Sequence, residues 1–202
     1  MKKILIVGAG AMGAAFSIPL LDNGHSVALT EPYNFKLFQK LNSKKKIHPS
    51  LNINLPKKLK INKFSSEILN RKWDLIVIAV SSIGIDLIGK NLSKVKNKSP
   101  ILVLTKGLKL DGRNLISMSS LLKKYNKNLN ISVLKGPCLA KELARKVKSF
   151  TVVANKNINT AKKIGKLIST NYYQTEFSRD VRGVEFLSAI KNIYSMIIGA
   201  GQ

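Results

Sequence analysis

An α/β fold built on a mostly parallel sheet is predicted by three features of this 202-residue sequence. First, an apolar strand-like segment at residues 4–7 runs directly into the glycine-rich turn GAGAMG. Second, short β-rich segments alternate with longer helical ones, which is typical of parallel strands joined by crossover helices. Third, Glu31 ends the second strand-like segment, eighteen residues after Gly13. Together they predict a Rossmann-type, doubly wound sheet that binds a dinucleotide.

The glycine turn has the spacing G-x-G-x-x-G. Its first glycine permits a tight turn, its second lets a pyrophosphate approach the backbone, and its third lets the helix pack closely on the strand. The positive end of the following helix attracts phosphate groups. The residues expected to bind the cofactor here are Gly8, Gly10, Ala11, Met12 and Gly13.

The identity of the cofactor is predicted from Glu31. A carboxylate at this position accepts hydrogen bonds from the adenosine ribose. No arginine stands beside Glu31 to bind a 2′-phosphate, and the carboxylate repels one. We therefore expect NAD, with NADP as the alternative.

Further elements follow in order along the chain. Segments rich in β-branched and apolar residues predict strands, and apolar positions three and four residues apart predict helices. The predicted strands are residues 26–30, 61–64, 74–80, 100–105, 131–134, 150–154 and 172–177. The predicted helices are residues 33–46, 82–97, 114–125, 138–146, 160–169 and 181–199. The proline-punctuated segment 47–56 is predicted to be a loop.

The last predicted helix is apolar over most of its circumference. Its polar residues follow spacings of three and four, which places them on one stripe. They are Glu185, Ser188, Lys191, Asn192 and Ser195. Either the stripe faces a functional site or it is the solvent-exposed edge of the helix. If Lys191 is held in apolar surroundings, its pKa is lowered toward the range that suits proton transfer. Glu185 is the nearest acidic residue on the same stripe.

The charge balance raises the possibility of a nucleic-acid-binding protein. The chain has 35 basic and 10 acidic residues, a formal net charge of +25 and a pI of about 10.3. The lysine clusters are scattered among the elements and are not interleaved with aromatic residues. This pattern favours a solvated surface, so we expect no nucleic-acid partner. The positive field would still help to attract anionic ligands.

Residues 1–21 imitate a secretory signal or a marginal membrane span. The glycines at fingerprint spacing and the strand pattern that resumes at Ser26 favour the dinucleotide turn instead. We therefore expect a cytoplasmic protein without a membrane span. A single cysteine, Cys138, excludes an internal disulfide and is typical of a reducing compartment.

Metal and thiol chemistry find little support in the sequence. His25 and His48 lie apart from Cys138 and from any carboxylate cluster, so no metal site is predicted. Cys138 stands at the start of a predicted helix, where a thiol can have a lowered pKa. No histidine is assigned to it, so simple packing at the helix start is favoured.

Ligands of open parallel sheets bind beyond the carboxyl ends of the strands. Three segments are expected there besides the glycine turn: residues 80–82 with Ser81, residues 105–108 with Lys106, and residues 135–138 with Lys135, Gly136 and Cys138. A lysine at the end of an apolar strand could hold an anionic substrate or polarise a carbonyl; it could also be a solvated loop residue.

Several motifs, in this order, resemble those of the NAD(P)-dependent glycerol-3-phosphate dehydrogenases. They are GAGAMG, HPSLNINLP, SSIG, TKGL, KGPCLAKEL, YYQTEFS and DVRGVEFLSAIKN. The likeness is collinear over essentially the whole chain. Ketopantoate reductases share only the GAGAMG start and are more distant. The resemblance implies an oxidoreductase that transfers a hydride between a nicotinamide cofactor and dihydroxyacetone phosphate or sn-glycerol 3-phosphate, a precursor of glycerophospholipids.

The resemblance also implies roles for individual residues. Lys191 would exchange a proton with the C2 oxygen of the substrate, and Asn192 would orient the substrate. Lys106 would contact both cofactor and substrate. Gly136 and Cys138 would line the substrate site, while Ser81 and Ala140 would contact the cofactor. Cys138 stands where the family usually has Ser, Thr or Ala, so a hydroxyl contact is lost there.

The same resemblance divides the chain into a dinucleotide-binding domain at residues 1–179 and the start of an all-helical substrate domain at residues 180–202. In the family that second domain supplies the Arg and Asn that bind the substrate phosphate, together with much of the dimer contact. We therefore expect a truncated chain with little activity alone and a homodimer only for the complete protein. The alternative is a non-catalytic dinucleotide-binding module.

Overall fold

The computed structural model describes the backbone of residues 1–200 and the side chains of residues 1–191, 194 and 199. The strands are β1 Lys3–Val7, β2 Ser26–Glu31, β3 Ile47–His48, β4 Ile53–Asn54, β5 Lys60–Lys63, β6 Leu75–Ile78, β7 Ile101–Val103, β8 Leu108–Asp111, β9 Asn114–Ser117, β10 Ile131–Lys135, β11 Ser149–Ala154 and β12 Tyr173–Ser178. The helices are α1 Ala11–Asp22, α2 Phe35–Leu41, α3 Ser66–Asn70, α4 Ile85–Lys94, α5 Met118–Tyr125, α6 Ala140–Ala144, α7 Ile158–Ile168 and α8 Val181–Ala200.

Eight strands form one sheet in the order β12-β11-β10-β7-β6-β1-β2-β5. The six strands from β10 to β5 run parallel to one another, while β11 pairs antiparallel with β10 and parallel with β12. The carboxyl ends of β1, β2, β6, β7 and β10 therefore meet at one edge, together with the starts of β11 and β12. This confirms the predicted fold class and defines the edge where a ligand is expected.

Helices cover both faces of the sheet. One face packs on α1, α6 and α7 through a core that includes Phe16, Leu143 and Ile164. The other packs on α3, α4 and α5 through a core that includes Ile88 and Leu122. Val181 and Val184 at the start of α8 join this second face. Both faces of the central strands are therefore buried, which explains their continuous apolar sequences.

Two short hairpins depart from the predicted elements. Segment 47–56 contains the paired strands β3 and β4, so the prediction of a simple loop was wrong. The helix predicted from residue 114 begins only at Met118, because residues 114–117 pair with β8 instead. The two-residue turn of this second hairpin is Gly112-Arg113, and Gly112 has a φ of +61°, which favours glycine at the first turn position.

Several helices are shorter than predicted, for local reasons. The Asn34 side chain accepts a hydrogen bond from the Leu37 amide and fixes the start of α2, which ends at Leu41. Segment 82–97 splits into a 3₁₀ turn at Ser82–Gly84 and the helix α4. Helix α6 begins at Ala140 and ends before Lys146, whose φ of +59° breaks the helix. The short helix α3 was not predicted.

Neither a membrane-spanning helix nor a cluster of metal-ligating side chains is found among the described residues. No helix there is long and apolar enough to cross a membrane. Within the same residues, no group of three or more His, Cys, Asp and Glu side chains is placed to hold a metal ion.

Candidate active site

The glycine turn joins β1 to α1 at the carboxyl edge of the sheet. Gly8 has a φ of +107°, and a Cβ there would lie 2.7 Å from the backbone of Ala79. A Cβ on Gly13 would lie 1.9 Å from the Gly8 carbonyl oxygen. Both positions therefore exclude a side chain, because α1 packs directly against the turn and the end of β6.

Gly10 is different, because the space in front of it is open. No heavy atom lies within 4 Å of the position that a Cβ would take. Gly10 is the N-cap residue of α1, with φ −61° and no side-chain cap, and the first turn of the helix carries no acidic residue. The positive end of α1 thus faces open space, which fits the approach of a pyrophosphate group.

Glu31 lies beside the glycine turn and binds three backbone amides. Its Oε2 accepts a hydrogen bond from the Ala9 N–H at 2.7 Å. Its Oε1 accepts from Tyr33 at 2.9 Å and from Asn34 at 3.1 Å. The carboxylate therefore orders the turn as well as standing where an adenosine ribose is expected.

His48 is hydrogen-bonded to the backbone of the same turn. This buried side chain contacts the Ala9 carbonyl oxygen through Nε2 at 2.9 Å. The Leu51 amide donates to His48 Nδ1 at 3.3 Å, so Nδ1 is the acceptor and Nε2 carries the proton. Nothing in the spacing of His48 indicated this role, because it lies 39 residues after Ala9.

A small pocket at the same edge brings several predicted residues together. Met12 from the start of α1 and Lys106 from the segment after β7 line it, with Gly136 and Cys138 from the segment after β10. Leu104, Leu134, Lys135, Thr151 and Tyr173 complete the lining. The pocket thus connects the glycine turn to the residues expected to meet the substrate.

Lys135 is the pocket residue whose role the sequence did not indicate. Its side chain is buried, and its Nζ donates to the carbonyl oxygens of Leu104, at 3.2 Å, and Thr105. Burial lowers the pKa of Lys135 to about 8; nearby Glu185 opposes this shift and Lys106 reinforces it. The only signal in the sequence was a lysine at the end of the apolar segment ISVL.

The lowered pKa considered for the Cys138 thiol was wrong. Cys138 precedes α6 rather than starting it, since that helix begins at Ala140. Burial raises the pKa of the thiol, which opposes thiolate formation at neutral pH. Cys138 therefore acts as a small apolar wall of the pocket.

The other residues expected to contact the cofactor lie around the same edge. Ser81 follows β6, and its carbonyl accepts a hydrogen bond from Gly84 in the 3₁₀ turn. Ala140 begins α6, which packs against α1. Lys106 is exposed, and the preceding Thr105 hydroxyl donates to the Val80 carbonyl at 2.7 Å, which joins the ends of β7 and β6.

Helix α8 holds the described residues of its predicted polar stripe in unlike environments. Glu185 is buried, and its carboxylate accepts hydrogen bonds from the Ser119 amide, at 3.1 Å, and the Ser119 hydroxyl. Lys191 is exposed, so the desolvation expected of it is found at Lys135 instead. The side chain of Asn192 lies outside the described residues.

Comparison with known proteins places this geometry in a family. The profile described as "NAD-dependent glycerol-3-phosphate dehydrogenase N-terminus" matches residues 3–161. A glycerol-3-phosphate dehydrogenase [NAD(P)+] from Leptospira biflexa is 32% identical over 203 residues, covering 98% of this chain and 60% of the relative. An NADP(+)-dependent glycerol-3-phosphate dehydrogenase from Archaeoglobus fulgidus is 26% identical over 202 residues, covering 96% of this chain and 59% of the relative.

Solved structures show the same fold. The glycerol-3-phosphate dehydrogenase of Coxiella burnetii superimposes with a TM-score of 0.82 at 23% identity, covering 95% of this chain and 58% of that one. The enzyme of Saccharomyces cerevisiae gives 0.79 at 21% identity, covering 95% of this chain and 60% of that one. The present chain spans about 60% of the length of the curated relatives it matches. It belongs to the NAD-dependent glycerol-3-phosphate dehydrogenase family, which it matches in the N-terminal part.

Proposed function

We propose that these residues form the cofactor-binding part of a glycerol-3-phosphate dehydrogenase, in which a hydride passes between a nicotinamide cofactor and dihydroxyacetone phosphate or sn-glycerol 3-phosphate. One observation carries the proposal: a single pocket joins Met12, at the start of the glycine-turn helix, to Lys106, Gly136 and Cys138. The substrate class is inferred from the relatives, which are named glycerol-3-phosphate dehydrogenases.

The backbone around the glycine turn would hold the cofactor. Open space at Gly10 and the unblocked start of α1 suit the pyrophosphate. Glu31 suits the adenosine ribose and disfavours a 2′-phosphate, which supports NAD over NADP. Ser81, Lys106 and Ala140 would complete the cofactor site. A bound nicotinamide would supply or accept the hydride.

Cationic side chains would handle the charge that develops on the substrate. As the carbonyl of dihydroxyacetone phosphate is reduced, negative charge grows on its C2 oxygen, and a nearby ammonium group both stabilises and protonates that oxygen. Lys191 would exchange this proton, with Asn192 orienting the substrate. Lys106 would contact the substrate from the strand edge, and Gly136 and Cys138 would shape its site.

The wider assignments follow from the same family membership. Residues 180–202 would begin the helical substrate domain, which supports a division between residues 1–179 and this segment. We expect a phosphorylated small molecule as substrate, a homodimer for the complete protein, a cytoplasmic location and a role in glycerophospholipid precursor supply.

A sharp test compares Gly10→Ala with the unchanged chain in NADH binding, measured by titration of nicotinamide fluorescence. The new methyl group meets no protein atom, so the stability is expected to stay within about 0.5 kcal/mol. Because the methyl group stands where the pyrophosphate must approach, the Kd is expected to rise about tenfold or more. An unchanged Kd would contradict a cofactor on this turn.

Turnover separates the enzyme from a binding module. Oxidation of NADH with dihydroxyacetone phosphate is followed by loss of nicotinamide absorbance, in the chain and in its complete form. Loss of this activity in Lys191→Ala, with NADH binding retained, would support the proposed chemistry. Binding without turnover in the complete form would favour a non-catalytic dinucleotide-binding module.

A further inference from the structure

A large cleft opens on the side of the molecule away from the pocket of the candidate active site. It has a volume of about 940 Å³ and lies between the start of α8, the start of α5 and the β9 strand. Residues at the start of β10 and just after β11 also line it, so it reaches the opposite edge of the sheet. Its size suits a small-molecule ligand.

Arginine is concentrated in this cleft against the bias of the whole sequence. The chain has 35 basic residues, of which only five are arginine. Three of these five, Arg113, Arg179 and Arg182, line the cleft, together with Lys123 and Lys156. The guanidinium group binds phosphate and carboxylate through two parallel hydrogen bonds, which lysine cannot do.

Four ion pairs of the described residues lie outside the cleft. Each of Asp22, Asp74, Asp86 and Asp111 forms an ion pair with a lysine. Among the described residues, none of the three cleft arginines forms an ion pair; Arg182 lies over the Phe186 ring at 5.5 Å.

The two acidic residues that line the cleft are already engaged in other contacts. Asp180 caps the start of α8 by accepting a hydrogen bond from the Gly183 amide at 2.8 Å. Glu185 accepts its hydrogen bonds from Ser119. The net positive charge of the cleft is therefore left to be matched by a ligand.

We propose that this cleft is a second ligand site, distinct from the glycine turn, that binds a small anion carrying a diphosphate group. Arg113 reaches it from the β8–β9 hairpin, while Arg179 and Arg182 reach it from the start of α8. A bound ligand would contact both the β8–β9 hairpin and the start of α8. The inference does not depend on the proposed dehydrogenase activity.

Isothermal titration calorimetry of the chain with pyrophosphate tests the proposal. NADH is present in excess, so that the glycine turn does not take up the probe. We expect saturable binding that weakens about tenfold or more in Arg179→Gln and Arg113→Gln, because each loses a charge-assisted hydrogen-bonding pair. Arg179→Lys keeps the charge but cannot form the two parallel hydrogen bonds of a guanidinium group. We expect this variant to bind pyrophosphate several-fold more weakly than the unchanged chain.

The matched control is Arg71→Gln, which removes the same charge from an exposed position outside the cleft. It is expected to leave the affinity within about twofold. Equal losses in Arg71→Gln and Arg179→Gln would show only a general response to the net charge and would overturn the proposal, as would a lack of saturable binding. This comparison holds whether or not NADH binds.

A parallel titration with ADP identifies the source of the diphosphate. Equal affinity for ADP and pyrophosphate assigns the cleft to the diphosphate group alone. Tighter binding of ADP, lost in the same arginine variants, assigns it to a nucleotide. Thermal unfolding of each variant verifies that Arg113→Gln and Arg179→Gln remain folded.

Discussion

The two sides of the candidate active site are built in different ways. The glycine-turn side comprises residues 8–13, Glu31 and His48, and its order comes from backbone amides and carbonyls. The lysine side comprises Lys106 and Lys135, and there a buried ammonium group binds the backbone at the end of β7. One side offers backbone N–H groups, and the other offers side-chain charge.

This difference affects how each side responds to change. The glycine-turn side depends on close backbone packing, so it is sensitive to added side-chain volume. The lysine side depends on a charge held out of water, so it is sensitive to pH and to the loss of a partner. Four substitutions test this contrast, in order of decreasing expected effect.

The largest effect is expected for Gly13→Val. Its Cβ would lie 1.9 Å from the Gly8 carbonyl oxygen, which is backbone and has no free rotation to relieve the clash. We expect a loss of roughly 3 kcal/mol or more in the free energy of unfolding, measured by urea denaturation. Gly10→Ala is the matched control with open space. Equal stability of the two variants would contradict the packing described for this side.

Lys135→Met tests the lysine side through pH. The folded pKa of Lys135, about 8, lies below its unfolded value of 10.5, so the folded state disfavours the charge. The unfolded state therefore binds more protons between these values, and the contribution of Lys135 to stability rises as the pH rises from 8 to 10.5. The methionine variant lacks this contribution.

The measured quantity is the difference in free energy of unfolding between the unchanged chain and Lys135→Met. It is expected to change in favour of the unchanged chain by on the order of 2 kcal/mol between pH 8 and pH 10. Lys106→Met is the control, because Lys106 is exposed at the same edge. A difference that stays constant with pH would argue against a desolvated ammonium at position 135.

The same contrast explains what the sequence could and could not predict. The fold class and family were predicted and are confirmed, because the glycine turn, its flanking strand and Glu31 lie within one continuous segment. The position of Lys135 at the sheet edge was predicted, but its burial and the role of His48 were not, because their partners, Leu104 and Ala9, are 31 and 39 residues away. Contacts over such separations are created by the fold and leave no local pattern.

The positions of the charged side chains in the fold could be predicted only in part from the sequence. Runs of lysine are conspicuous in the sequence, and Lys44 and Lys45 of one such run are exposed. Arg113 is far in the sequence from Arg179 and Arg182, and the fold brings all three to one cleft where α8 begins beside the β8–β9 hairpin. Lys191 stands out in the sequence because its helix is otherwise apolar, yet Lys191 is exposed, whereas Glu185 on the same helix is buried.

His48→Ala tests the support beneath the glycine turn. The substitution leaves the buried Ala9 carbonyl without its hydrogen bond from Nε2, which costs about 1–2 kcal/mol in the free energy of unfolding. Because the turn is also loosened, we expect NADH to bind several-fold more weakly. His25→Ala is the control, since its ring contacts the Leu167 carbonyl, away from the turn. Equal effects of the two variants on NADH binding would remove His48 from the site.

The smallest effect is expected for Glu31→Gln, which separates the two tasks given to that carboxylate. Glutamine keeps the volume and one acceptor oxygen, but its NH₂ group replaces the other acceptor and loses at least one backbone hydrogen bond, so stability should fall by about 1 kcal/mol. Removing the charge relieves repulsion of a 2′-phosphate, worth about 1 kcal/mol for two charges roughly 5 Å apart in water. The ratio of the Kd values for NADPH and NADH is therefore expected to fall about fivefold, measured by fluorescence titration. If the ratio is unchanged while both cofactors bind more weakly, Glu31 acts only by ordering the turn, and the predicted preference for NAD is wrong.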